Sequence, residues 1–242
     1  MSIKTLLKSV RPSVGKNNEA SRERWLEKTL RALPNRSRIL DAGAGTQLYR
    51  IFCGHLDYVS QDFGQYDGQG DAAGLQTQTF DYGTLDIVSD ITAIPEPDAS
   101  FDAIMCIEVL EHLPQPDRAI KEFSRLLKSK GHLILTAPFC SLTHFSPYHF
   151  STGFNKYWYE THLTAQGFNI IKMAPNGNFF EFIAQEIDRI ESISKRYSQK
   201  KPGLLERLSI FVILRMLQRF SMADNGSSEL LCFGYHILAR KK

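Results

Sequence analysis

The 242-residue sequence is short of the features that mark several large classes of protein. Its four cysteines, Cys53, Cys106, Cys140 and Cys232, form no CxxC pair, and three of them sit in apolar runs. They read as reduced core thiols of a cytoplasmic protein rather than a disulfide framework. Excess charge is also lacking. With 29 Lys and Arg against 26 Asp and Glu, the net charge of +3 is too small for a dedicated nucleic-acid binder. No long hydrophobic run occurs: the longest, Leu208 to Leu217, is interrupted by Arg215 and spans about 15 Å as a helix, half the thickness of a bilayer core. The N-terminal stretch MSIKTLLKSVRPSVGK is broken by lysines and has no continuous apolar core of a signal peptide. No internal repeat or low-complexity tract appears.

What remains is ordinary globular composition, 43% hydrophobic and 23% charged, on a chain that one α/β sheet with an insertion can occupy. An amphipathic helix is expected from Asn18 to Ala32, with Trp25, Leu26 and Leu30 on one side. Strands are expected at Arg38 to Asp41, Tyr58 to Phe63, Leu85 to Ser89, Phe101 to Glu108 and His132 to Ala137. A helix should fill Pro116 to Lys128 and stop at Gly131, and another Asn155 to Gln166, leading through Gly167 into a strand from Phe168 to Met173. Glu229 to Ala239 reads as the last strand. Strand and helix in alternation predict a doubly wound, parallel sheet with ligands at the carboxyl ends of its strands. The chain is accordingly divided into a tail (1–17), a core (18–174), a helical insertion (175–228) and a final strand (229–242), all within one domain. In the insertion, Phe180, Ile183, Ile187, Ile190 and Tyr197 share one helical face, and LLERLSIFVILRMLQRF is apolar nearly all round. It must pack on something: as a lid, a dimer surface or a shallow contact with a membrane.

The sharpest motif is RILDAGAGTQ, a strand whose Asp41 precedes Ala42, Gly43 and Gly45. Glycines there let a ligand approach the backbone closely. A dinucleotide loop needs a third glycine where Leu48 stands, so a pyrophosphate ligand is disfavoured. A carboxylate at the strand end suits a cationic amino-acid moiety by charge attraction. The Asp-x-Gly-x-Gly arrangement resembles motif I of class I S-adenosylmethionine-dependent methyltransferases, and the resemblance runs through residues 38 to 139. The stretch FDAIMCIEVLEHLPQPDRAIKEFSRLLKSKGHLILTAPF is similar to the small-molecule subgroup that includes ubiquinone-pathway enzymes. The resemblance implies a mostly parallel seven-stranded sheet with an antiparallel last strand. It implies S-adenosylmethionine as cofactor, with Asp62 and the neighbouring Phe63 at the ribose, and Asp90 with Ile91 at the adenine. Cys106 and Glu108, ending the fourth strand, complete the expected cofactor shell. Gln47 stands where relatives often carry a third motif I glycine.

Beyond the cofactor, Glu108, Glu111 and His112 in EVLEHL have a spacing that resembles a divalent-cation motif, with His144 or His149 to complete it. Hard cations need more oxygen ligands than this, so a structural or cofactor-shell role is favoured and no metal is expected. The aromatic stretch SPYHFSTGFNKYWYETHL has two readings: a wall for the methyl acceptor, or the packing face of a helix, since Trp158, Tyr159, His162 and Leu163 have helical spacing. Methyl transfer from a sulfonium is an in-line displacement that depends mainly on alignment in a dry pocket. A hydroxyl acceptor also needs a base, for which His112 and His149 are the expected catalytic residues. The expected activity is O-methylation of a small molecule or glycan. The alternatives are C-methylation of a lipophilic quinone-like acceptor and a module that binds the cofactor without turnover. Oligomeric state is not legible in the sequence.

Overall fold

The computed structural model describes residues 12–242, so residues 1–11 of the expected tail lie outside the described part. Helix α1 (Asn18–Arg31) forms where the amphipathic pattern places it, with Leu26 and Leu30 fully buried. Seven strands follow: β1 (Arg38–Ala42), β2 (Asp57–Asp62), β3 (Ile87–Val88), β4 (Phe101–Ile107), β5 (Leu127–Pro138), β6 (Phe168–Asn176) and β7 (Gly234–Lys241). They make one sheet in the order β3-β2-β1-β4-β5-β7-β6. The β1–β2, β1–β4, β2–β3 and β4–β5 pairs are parallel, and β7 runs antiparallel to β5. This is the doubly wound sheet that the alternation predicts, with the antiparallel last strand that the resemblance implies. From β1 the chain winds outward to β2 and β3, then returns to β4 on the other side of β1, which opens a crevice at the carboxyl ends of β1 and β4.

The central strands are apolar almost without a break because both faces are covered. Ile39, Leu40, Ile104, Met105, Leu133, Ile134 and Leu135 are all fully buried. Helix α2 (Pro116–Leu126) starts with proline in its first turn, where the missing N–H costs nothing, and buries Ile120, Phe123 and Leu126. Helix α3 (Lys156–Ala165) is capped by Asn155, whose side chain accepts from the Trp158 N–H at 3.1 Å.

Several boundaries differ from the sequence expectation. Gly131 does not stop α2: that helix ends at Leu126, and Gly131 lies inside β5, which begins at Leu127. The third strand shrinks to Ile87–Val88 because it lies at the sheet edge with a partner only in β2. The last strand begins at Gly234, and residues Ser227–Glu229 form a short 3-10 turn instead.

The chain divides into two compact units. The larger holds Arg22–Ala174 and Gly234–Lys241 with the terminal lysine, and so nearly all of the sheet; the smaller holds residues 12–21 with Pro175–Phe233. In the smaller unit, α4 (Phe179–Tyr197) and α5 (Leu204–Met222) pack through Phe180, Ile183 and Ile187 against Ile210, Leu214 and Leu217. Ile190 and Tyr197, which share the predicted α4 face, stay exposed. Among the described residues, no helix is long and apolar enough to cross a membrane.

Candidate active site

A cavity of about 600 Å³ opens at the carboxyl ends of β1, β2 and β4. Its first wall is the turn that leaves β1. Gly43 adopts φ 77° and Gly45 φ 50°, conformations that a side chain disfavours. A Cβ on Gly43 would lie 2.5 Å from Val109 Cγ2, so this glycine is required by the close approach of the β4 loop. Gln47 takes the left-handed conformation too, at φ 56°, which accounts for glycine being usual in that position. Its side-chain amide donates to the carbonyls of Tyr82 and Thr84 at 2.8 and 2.9 Å, tying the turn to the segment after β2.

The two acidic tips differ in situation. Asp41 is buried behind the turn with Ala42 and accepts a 2.6 Å hydrogen bond from the Tyr58 hydroxyl. Burial pushes its carboxyl up to about 7. Asp62 lines the cavity. Its Oδ2 accepts from the Gly45 N–H at 2.9 Å and its Oδ1 from the Gly64 N–H at 3.1 Å, so one carboxylate fixes both turns. Burial raises the Asp62 carboxyl, and those backbone donors hold it back. Gly43, Phe63, Asp90, Ile91 and Glu108 also line the cavity. Asp90 Oδ1 accepts from both the N–H and the hydroxyl of Thr92 at 2.8 Å, which is turn chemistry as well. Ala42 and Cys106 are buried within their strands. Burial, followed by the Glu111 carboxylate, pushes the Cys106 thiol well above its ordinary range.

Past β4 the backbone at Glu108 turns to φ 57°. Its carboxylate is held by the Thr136 hydroxyl at 2.7 Å and the Arg22 guanidinium at 3.2 Å, and so is committed elsewhere than to the histidines. Glu111 is 1% exposed, and its Oε2 is buried without a hydrogen-bond partner. Burial, then the Glu108 charge, drives its carboxyl well above the usual range. Its Oε1 lies 3.8 Å from His112 Nε2 and 3.9 Å from His144 Nε2. His112 Nδ1–H donates to the Tyr148 carbonyl at 2.6 Å, which leaves the Nε2 lone pair unprotonated and buried without a partner. Burial, then His144, lowers His112 to about 3. His112 lines the cavity. His149, the other expected catalytic residue, does not line the cavity: it sits behind the cluster, its ring 4.8 Å from that of His144 and 6.1 Å from that of His112. Ser141 Oγ gives its proton to the Thr152 carbonyl, so His149 Nε2–H is the donor across the 3.2 Å to that oxygen. Among the described residues, Glu111, His112 and His144 are the cluster able to hold a metal ion, with donor atoms within 4.8 Å of one another.

The aromatic stretch divides between its two readings. Tyr148 and Phe150 line the cavity. Phe154 and Tyr159 are buried, and Trp158 stacks near His162 at 4.4 Å, as packing of α3. Sequence reasoning missed the opposite wall. Tyr66, Phe80 and Tyr82, from the segment between β2 and β3, line the cavity, with Phe80 stacked edge-on against Tyr66 at 5.2 Å and Phe145 at 5.7 Å. That segment is rich in Gly and Gln and carries neither helical nor strand periodicity.

Residues 40–135 match the methyltransferase domain family. Over 49 residues the chain is 47% identical to a ubiquinone biosynthesis O-methyltransferase of Xanthomonas oryzae, 20% of each chain. It is 41% identical to the enzyme of that name from Alkalilimnicola ehrlichii, over 20% of this chain and 19% of that one. The match thus spans about one fifth of the length of these curated relatives. Among solved structures, a SAM-dependent methyltransferase from Archaeoglobus fulgidus superposes with TM-score 0.56 at 15% identity, covering 92% of this chain and 94% of that one. The phosphoethanolamine N-methyltransferase 2 of Haemonchus contortus, in complex with S-adenosyl-L-methionine, gives 0.50 at 17%, covering 92% and 52%. The [4+2]-cyclase SpnF gives 0.54 at 18%, covering 90% and 80%. At such identities the likeness is one of fold.

Proposed function

We propose that the chain, whose residues 40–135 match the methyltransferase domain family, is a class I S-adenosylmethionine-dependent methyltransferase that methylates a hydroxyl group on a small molecule or glycan. Asp62 would take the ribose, Asp90 and Ile91 would border the adenine, and the Gly43–Gly45 turn would receive the methionine part. Asp41 acts from behind that turn, its charge available to the ammonium once the cofactor neutralises its burial. When bound, S-adenosylmethionine would supply an activated methyl group for in-line transfer to an acceptor oxygen. The hydroxyl proton, acidified as the oxygen takes the methyl group, would pass to His112, whose lowering to about 3 makes it a weak base, with His149 beside the histidine cluster outside the cavity.

The observation that carries the reading is the His112 tautomer: Nδ1–H is fixed on the Tyr148 carbonyl, which leaves Nε2 as an acceptor in a residue that lines the cavity. The aromatic walls from Tyr66, Phe80, Tyr148 and Phe150 favour a flat or partly apolar acceptor. C-methylation of a lipophilic quinone-like acceptor is the neighbouring alternative; the curated relatives, named for ubiquinone biosynthesis, support a quinone-type acceptor but are themselves O-methyltransferases by name. The cyclase shares the fold, so fold alone does not entail methyl transfer. Incubation with labelled S-adenosylmethionine and fractionated cell extract tests the proposal. Label in an alkali-stable ether, with release of S-adenosylhomocysteine, is expected. Label in a carbon-bound methyl supports the alternative, and cofactor binding without any transfer defeats both.

A second reading is favoured by the buried, unpartnered Glu111 Oε2 and His112 Nε2. A divalent cation held by Glu111, His112 and His144 would give His112 Nε2 a partner and would supply a Lewis acid for the acceptor oxygen in place of a base. It departs from the sequence expectation of no metal and leaves out Glu108, whose carboxylate is committed to Thr136 and Arg22.

A further inference from the structure

Helix α5 has two apolar sides and a packing partner for only one. Leu214 and Leu217, with Ile210, face the core of the smaller unit. On the other side Leu205, Leu208, Val212 and Met216 recur every three or four residues, and all remain exposed, from 40% at Met216 to 79% at Leu205. From Leu205 to Met216 the stripe is about 17 Å long, larger than the scattered apolar side chains of an ordinary surface.

The charge around this stripe has one sign. From Lys195 to Met222 there are seven Lys and Arg residues and a single acid, Glu206. Arg215 and Arg219 are exposed and, seven residues on from Leu208 and Val212, project from the same side of the helix nearer its C-terminal end. Acidic groups on the facing helix α4 are engaged, Glu191 by Arg207 and Glu186 by Arg189. We propose that this face of α5 lies on an anionic lipid surface, with Leu205, Leu208, Val212 and Met216 in the headgroup boundary and Arg215 and Arg219 on lipid phosphates. The helix lies in the plane of the surface, since it is not apolar enough to cross it. Long arginine stems reach phosphates while their methylenes stay with the acyl chains. A second copy of the chain fits the stripe less well, because a two-fold interface on this face brings like-charged arginines together.

Co-sedimentation of the full chain with vesicles tests this independently of any catalytic reading. The chain should pellet with vesicles of phosphatidylcholine and phosphatidylglycerol in equal parts, much less with phosphatidylcholine alone, and less again at high salt. L205E/V212E should abolish pelleting, and R215Q/R219Q, which leaves the stripe intact, should weaken it about tenfold or more. No pelleting with the anionic vesicles overturns the proposal. So does pelleting that neither variant nor salt alters, or a dimer in light scattering that L205E/V212E dissolves while vesicles never bind.

Discussion

The Tyr58 hydroxyl donates to Asp41 Oδ2 across 2.6 Å, from one parallel strand to the next, beneath the glycine turn. That bond offsets only part of the burial cost, and the Asp41 carboxyl remains raised to about 7.

The raised value makes Asp41 a source of pH-dependent stability in the cofactor-free protein. Between its unfolded value near 4 and about 7, the folded state holds a proton that the unfolded state has released, so stability falls as pH rises through that window. Above it the deficit is constant. D41N removes the charge and keeps an oxygen for Tyr58, and should stabilise the free protein at pH 8 by on the order of 3 kcal/mol while leaving it unchanged near pH 4. His112 and His236, lowered to about 3 and about 4, act oppositely: their stability is lost as pH falls below about 6.5. Urea titrations at the two pH values separate the effects, and an equal change at both refutes the assignment to Asp41.

Asp62 joins Gly45 and Gly64 through its two oxygens. Losing a charge-assisted acceptor at this position should weaken S-adenosylmethionine binding about 10- to 100-fold in D62A. D62N keeps one acceptor and should fall between. Calorimetric titration measures both, and a D62A protein that folds and binds like the parent removes Asp62 from the cofactor site.

Much of this arrangement is legible in the sequence, and the exceptions have a common cause. The strand alternation, the turn from Asp41 to Gly45 and the cap at Asn155 are local patterns, and local patterns carry their own physics. The Asp41–Tyr58 bond depends on register, with Asp41 opposite Ser60 in β2, which no spacing within one strand reveals. The Glu108 carboxylate is turned to Arg22 of the first helix, 86 positions away in the chain by their numbers. Gly131 looks like a helix stop because it follows a helical pattern, yet the parallel pairing of Phe101 with Leu127 converts the residues before it into strand. Tyr66 and Phe80 are placed by tertiary contacts, including the bridge between Leu75 and His144, and not by any periodicity.

The histidine cluster distinguishes the base from the cation. With His112 as base, H112A should lower kcat about 100-fold or more with cofactor affinity intact, while H144A stays within a few-fold and a chelator has no effect. With a cation on Glu111, His112 and His144, H144A fails as badly as H112A, and manganese restores the chelated wild type but neither variant.

Val109 pressed against Gly43 supplies a test of why that glycine is there. A methyl group at residue 43 meets Val109 Cγ2 at 2.5 Å and Cγ1 at 2.7 Å, and the backbone at φ 77° disfavours any side chain. The two penalties together should cost G43A about 2–4 kcal/mol. V109A removes the two nearest atoms but leaves Cβ at 3.2 Å and the backbone strain, so G43A/V109A should recover part of the loss and not all of it. Thermal and denaturant unfolding of the four proteins in the double-mutant cycle give the coupling. If the penalties simply add, Val109 is not what the missing side chain makes room for, and the space at Gly43 is then kept for the cofactor alone.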